Sequence, residues 1–234
     1  MENYPVFDGS DTSMSGNGAP IPNNTGPVVL GGGGPLPPVI LPPGNGGGCV
    51  SSGPFVNYTV NLGPAQLVLP GNKTIAAANP LDYNPRCFRR DLTTAIIRSF
   101  ANATAARNLI VDHSDVWDFQ MTMQGVPGSG NIGVHGGGHY SMGGDPGRDF
   151  FVSPGDVAFW HHHGMIDKVY WIWQALDLKS RLTALSGTGT YMNTPPTPNT
   201  TLDTVIDLGY AAGQPTAVRD LMSTTSGLFC YVYE

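Results

Sequence analysis

Ser153-Pro154-Gly155-Asp156-Val157-Ala158-Phe159-Trp160-His161-His162-His163-Gly164-Met165-Ile166-Asp167-Lys168-Val169-Tyr170-Trp171-Ile172-Trp173-Gln174 is the stretch that decides the fold. Ser and Pro lead it, as helix starts favour. Phe159, His163, Ile166, Tyr170 and Trp173 then recur at spacings of 4, 3, 4 and 3. That period predicts one long helix over about 155–178 with this stripe turned to the core. His163 therefore falls on the core-facing side, between Phe159 and Ile166.

Upstream stands Gly133-Val134-His135-Gly136-Gly137-Gly138-His139-Tyr140, so that five of the six histidines lie between positions 135 and 163. His135 and His139 are spaced i and i+4, and a helical turn would aim both imidazoles at one point. A third imidazole from the face of the next helix completes a three-nitrogen metal site. Three intervening glycines oppose that turn by about 1 kcal/mol each, which is the argument for ordinary surface or core histidines. They also let a neighbouring segment or a substrate come close. Imidazole suits copper, zinc, iron and nickel, so the ligand type does not choose the metal.

Working outward, Asp91 to Phe100 predicts a helix with Leu92, Ile96, Ser99 and Phe100 on one face and Asp91 as its cap. A second helix runs from Ser114, as cap, through Val116, Trp117, Phe119 and Gln120. Residues 1–54 hold 13 Gly and 10 Pro, which predicts an extended loop of polyproline character, because Pro removes donors and Gly raises the entropy of ordering. A loop that long usually wraps a scaffold, and that scaffold is expected upstream of Met1. Residues 87–178 form the helical region. The segment 179–234 is loop-rich, with a short helix at Ala217 to Leu221 and a strand-like alternation from Gly227 to Glu234. The 234 residues suffice for one domain with a real core.

Net charge is −6 with a pI near 5.3, and no Lys/Arg cluster exceeds Arg86, Arg89 and Arg90, so the electrostatic footprint of a nucleic-acid binder is missing. No run approaches 18 apolar residues, which argues against a membrane span. Charged residues are only 12%, well under the roughly 25% of ordinary soluble domains. Five sequons, at Asn23, Asn57, Asn72, Asn102 and Asn199, offer glycans as the solvating substitute and point to a secreted parent. The amino terminus itself has neither the basic nor the apolar region of a signal peptide. Cys49, Cys87 and Cys230 cannot all pair within one chain, and none has the CxxC spacing of a zinc or redox site.

The run from Gly133 to Pro146, followed by Ser153 to Lys168 and Tyr170-Trp171-Ile172-Trp173-Gln174, resembles the CuB motif of the fungal, ascomycete-type tyrosinase and catechol oxidase family. Phe7 to Gly16, Cys87 to Leu92 and Phe229 to Glu234 resemble other segments of the same family, so the likeness covers nearly all of residues 1–234. It implies a mainly α fold: part of a type-3 copper four-helix bundle with long Gly/Pro-rich loops and short β segments. It implies copper held by His135, His139 and His163, with Phe159 packed on a ligand imidazole, His162 beside the ligands and Asp167 as a carboxylate that orients the site. His161 and His113 read as surface.

The family's activity, oxidation of phenolic substrates with O2 to quinones, uses two coppers with three histidines each. This chain has too few histidines for both, so it is expected to supply the CuB half, with the other motif upstream of Met1. Many tyrosinases carry Asn directly after the first CuB histidine, where Gly136 stands here. That favours diphenols or o-aminophenols over monophenols. Two other readings compete: a non-catalytic domain holding one metal ion, and a zinc hydrolase. The hydrolase lacks a Glu or Asp at HExxH spacing.

Overall fold

The computed structural model describes residues 1–24, 26–31, 35–211 and 213–234. Its regular structure is mainly α-helical, with short strands. Where length favoured one domain, the chain separates into two compact units: residues 1–106 with 122–166, and residues 107–121 with 167–234.

The first unit begins with short antiparallel pairings. β1 (Gly18–Pro20) pairs with β4 (Gly47–Val50), and β2 (Val28–Leu30) pairs with β3 (Val39–Leu41). Residues 1–54 are thus not loop throughout. Val28 and Leu41 are fully buried and form a core cluster with Ile96 and Ile132, against which Phe100 and Tyr140 pack. Each such side chain contributes about 1.5–3 kcal/mol by leaving water, so the scaffold for this stretch lies within the chain. Further ladders join β5 (Thr59–Val60) to β8 (Arg86–Cys87) and β6 (Leu67–Leu69) to β7 (Lys73–Ile75). Cys49 and Cys87 form a disulfide, which settles a pairing that the sequence left open; Cys230 is a free, exposed thiol.

Among the described residues six α-helices follow in chain order: α1 (Thr94–Phe100), α2 (Ala103–Asp112), α3 (Val116–Gln124), α4 (Gly133–Met142), α5 (Ala158–Ala175) and α6 (Leu178–Arg181). Asp91 does not cap α1. Its buried carboxylate instead accepts from the backbone N–H groups of Gly44 and Gly46, pinning the Gly/Pro-rich loop. The cap of α3 is Asp115, which accepts from the N–H groups of Trp117 and Asp118, rather than Ser114. The long helix starts three residues later than its pattern suggested. Ser153–Gly155 makes a separate 3-10 turn, and Asp156 Oδ1 accepts the N–H of Ala158 at 2.9 Å as the cap of α5.

The second unit is built on stacked aromatic rings. Trp173, fully buried, stacks on Phe119 with centroids 4.7 Å apart and donates its indole N–H to the carbonyl of His113 at 2.6 Å. Arg181 lies over the same indole. Strands β9 (Val205–Ile206) and β10 (Thr216–Ala217) pair, and Val218–Leu221 forms a 3-10 turn where a short helix was expected. The alternation at 227–234 does not become a strand, because it has no ladder partner. Its tyrosines anchor it instead: the Tyr231 and Tyr233 hydroxyls both donate to Asp167 Oδ2, at 2.7 and 2.5 Å.

Candidate metal centre

The four histidines His135, His139, His162 and His163 belong to the first unit, two on α4 and two on α5. One nitrogen from each can be chosen so that all four lie within 4.8 Å of one another. The spacing in sequence achieves this because α4 is helical in spite of its glycines. Tertiary contact overrides their poor propensity and also requires two of them. A Cβ on Gly138 would lie 2.1–2.5 Å from three atoms of the His162 ring, and one on Gly137 would lie 3.0 Å from the Cβ atoms of Phe100 and Ala101. Gly138 therefore admits His162, and Gly137 admits α1.

The His139 and His163 Nε2 atoms are 3.1 Å apart. The His135 ring meets both of these imidazoles nearly edge-on, with centroids 4.8 and 5.1 Å away. His139 donates from Nδ1 to the Gly147 carbonyl at 3.2 Å. That bond fixes the tautomer and leaves the Nε2 lone pair facing the cluster. His162 is engaged differently. Its Nε2 donates to the carbonyl of His135 at 2.9 Å, its ring stacks on that of His135, and its Nδ1–Cε1 edge is pressed against Gly138.

Phe159 stacks on His163 with centroids 3.9 Å apart and planes at 24°. His161 is exposed and outside the group, while the His113 backbone serves Trp173.

Burial and mutual repulsion keep the group uncharged. Burial, followed by the neighbouring His139 and His163, pushes His135 down to about 4. Burial, with His139 and His135 behind it, pushes His162 down to about 3. His139 and His163 are lowered as well, chiefly by burial, and the Gly147 carbonyl and Asp156 pull His139 partly back up. Neutral imidazoles have a free lone pair, the state in which histidine ligates metal.

Two nitrogens bound to one ion at about 2.0–2.1 Å stand about 3 Å apart, which is the His139–His163 separation. The donor set thus fits a metal ion that favours imidazole. Asp167, expected to orient the site, gives its Oδ2 to the two tyrosine hydroxyls of the second unit. The group that orients a histidine here is a backbone carbonyl, that of Gly147. A carbonyl leaves no mark in a sequence. Asp156 was also missed, although a Ser-Pro-x-Asp helix start is a readable capping signal.

The profile of the common central domain of tyrosinase matches residues 2–176. "Tyrosinase P" of Aspergillus terreus is 40% identical over 233 residues, 98% of this chain and 63% of that protein. "Oxidase hkm6" of Aspergillus hancockii is 36% identical over 234 residues, covering 98% of this chain and 78% of that one. Among solved structures, a mutant polyphenol oxidase from Thermothelomyces thermophila matches with a TM-score of 0.87 and 42% identity, over all of this chain and 62% of that one. The chain thus spans under two thirds of the length of the first and third of these proteins.

Proposed function

The chain belongs to the tyrosinase family, and we propose that His135, His139 and His163 hold one copper ion of an oxidase that converts diphenols to quinones with O2. The observation that carries this reading is the convergence of the His139 and His163 Nε2 atoms at 3.1 Å beside the His135 ring. His162 is in reach of the same point, but one of its nitrogens is spent on a carbonyl and the other is wedged against Gly138. It braces His135 rather than ligating.

Copper bound there would supply the redox capacity for oxidising a phenol with O2. Overall, two diphenols give up four electrons and four protons to one O2, forming two quinones and two waters. The chain's own residues do the holding. α4 and α5 present neutral imidazoles, Phe159 restrains the His163 ring and Gly147 fixes the His139 tautomer. Gly136 leaves the position after His135 without a side chain, which favours diphenols over monophenols.

Two-copper chemistry needs a second set of three imidazoles. His113 and His161 do not supply one, so the isolated 234-residue chain is expected to bind copper without oxidising catechol. The disulfide and the exposed Asn57, Asn72 and Asn199 support a secreted, glycosylated protein. Loss of mass on amidase treatment of the protein made in a fungal host tests the glycans.

The test of the copper reading is metal analysis after copper loading and desalting. About one copper per chain supports it, and none sinks it. One copper that is indifferent to His135→Ala moves the site elsewhere.

A further inference from the structure

The two histidine-bearing elements meet at a residue outside the metal set, Asp156. Its Oδ1 caps α5 through the N–H of Ala158, and its backbone carbonyl accepts the N–H of Phe159 at 2.9 Å. The first turn that delivers Phe159, His162 and His163 is thereby fixed. On its other side, a Cβ on Gly147 would lie 3.3 Å from Asp156 Oδ2 and 2.8 Å from the Gly143 carbonyl. The carboxylate thus lies against the residue whose carbonyl receives His139 Nδ1.

Asp156 is itself immobilised. Arg90 Nη2 and Nε donate to its two oxygens at 2.7 and 3.1 Å, and both side chains are completely buried. Arg90 Nη1 donates to the carbonyls of Met14 and Ser15, and its guanidinium sits over the Phe7 and Phe88 rings, 5.1 and 4.7 Å from their centroids. A bidentate, fully desolvated pair held in this way has one geometry.

We infer that Asp156, clamped by Arg90, is a positioning residue for the metal centre, setting His163 through the cap of α5 and the His139 tautomer through Gly147. The inference rests on the copper reading for one of its two readouts. The other needs no metal: in the metal-free chain, imidazole nitrogen shifts report which His139 nitrogen carries the proton.

The test compares the parent chain with Asp156→Ala. Should that variant not fold, because Arg90 is left as a lone buried charge, the Arg90→Met/Asp156→Ala pair replaces it. Leu109→Ala, which opens a cavity at a buried position of α2 in the second unit, serves as the destabilised control. The parent is expected to hold His139 as the Nδ1–H tautomer and the variant to show a mixture. Copper affinity, measured by chelator competition, is expected to fall about 10–100-fold, as when a residue supporting a ligand is lost. Leu109→Ala should lower Tm and leave both readouts at parental values.

A folded variant with the parent's tautomer overturns the inference, and so does one whose copper affinity stays within about threefold of the parent's. If the parent binds no copper, the copper reading is what fails, and the tautomer alone decides for or against Asp156.

Discussion

The two halves of α5 carry the same aromatic stripe and do different things. In the second half Trp173 stacks with Phe119 and Tyr170, and its indole N–H is paired with a carbonyl. In the first half Phe159 stacks on His163 in the same manner, yet the Nε2 atoms of His163 and His139 face each other at 3.1 Å. The difference lies in polar pairing: one half gives its indole N–H to a carbonyl, and the other brings half-buried imidazole nitrogens together, where a cation would fit between them.

Substitutions in the two halves should therefore fail in different ways. The largest expected effect is on metal. His139→Ala is expected to take bound copper from about one per chain to near zero, while thermal unfolding of the metal-free chain stays close to the parent's; elemental analysis and calorimetry together check this. Trp173→Ala, in the other half, should do the reverse. It is expected to cost about 3–5 kcal/mol of stability by denaturant titration and to leave the copper content of the folded fraction unchanged.

Gly138→Ala comes next. Its methyl group would overlap the His162 ring, so a loss of about 1–3 kcal/mol is expected from overpacking, with weakened copper binding because the brace on His135 moves. Gly136→Ala, two positions earlier, meets only the side chain of Ile132, at 3.2 Å. It is expected to change stability by less than 1 kcal/mol, so that the pair of variants separates close approach from helix propensity.

The acid response sharpens the comparison further. His135 stands near 4 and His162 near 3 in the fold, against an ordinary 6.5. Between those values the unfolded chain binds more protons than the folded one, so stability rises with pH and is lost as pH falls from about 6.5 towards 4. Unfolding midpoints of the metal-free chain between pH 7.5 and 4.5 should drop, and His135→Gln should flatten the slope. The smallest effect is expected from Asp167→Asn, which alters the tyrosine contacts of the second unit. About 1 kcal/mol or less of stability and no change in copper affinity are expected. A large loss of copper would restore Asp167 to the orienting role that the sequence suggested.

Much of the site was legible because it is periodic. The i, i+4 histidines and the stripe through His163 follow from helical geometry, and both lie on helices, α4 and α5, whereas the ring stacked on His163 was implied by the family resemblance alone. What was not legible depended on contacts between distant residues. Gly137 and Gly138 read equally as helix breakers or as places of close approach, and only α1 and His162 lying against them decide between the two. Asp91 sits where a cap would sit, but loop amides 45 and 47 residues upstream claim it. The Gly/Pro-rich opening looked structureless because two ladders of three or four residues leave almost no period to read. The carboxylate that matters at the first half of α5, Asp156, is buried against Arg90, 66 positions upstream.

The central claim is that three neutral imidazoles, His135, His139 and His163, form one copper site while His162 only braces it. The copper-to-chain ratio after loading and desalting, measured for the parent, His163→Ala and His162→Phe, tests it most directly. About one copper in the parent, near zero in His163→Ala and a retained though weaker copper in His162→Phe are expected. A parent without copper, or a His163→Ala chain that keeps the parent's full complement, would contradict it.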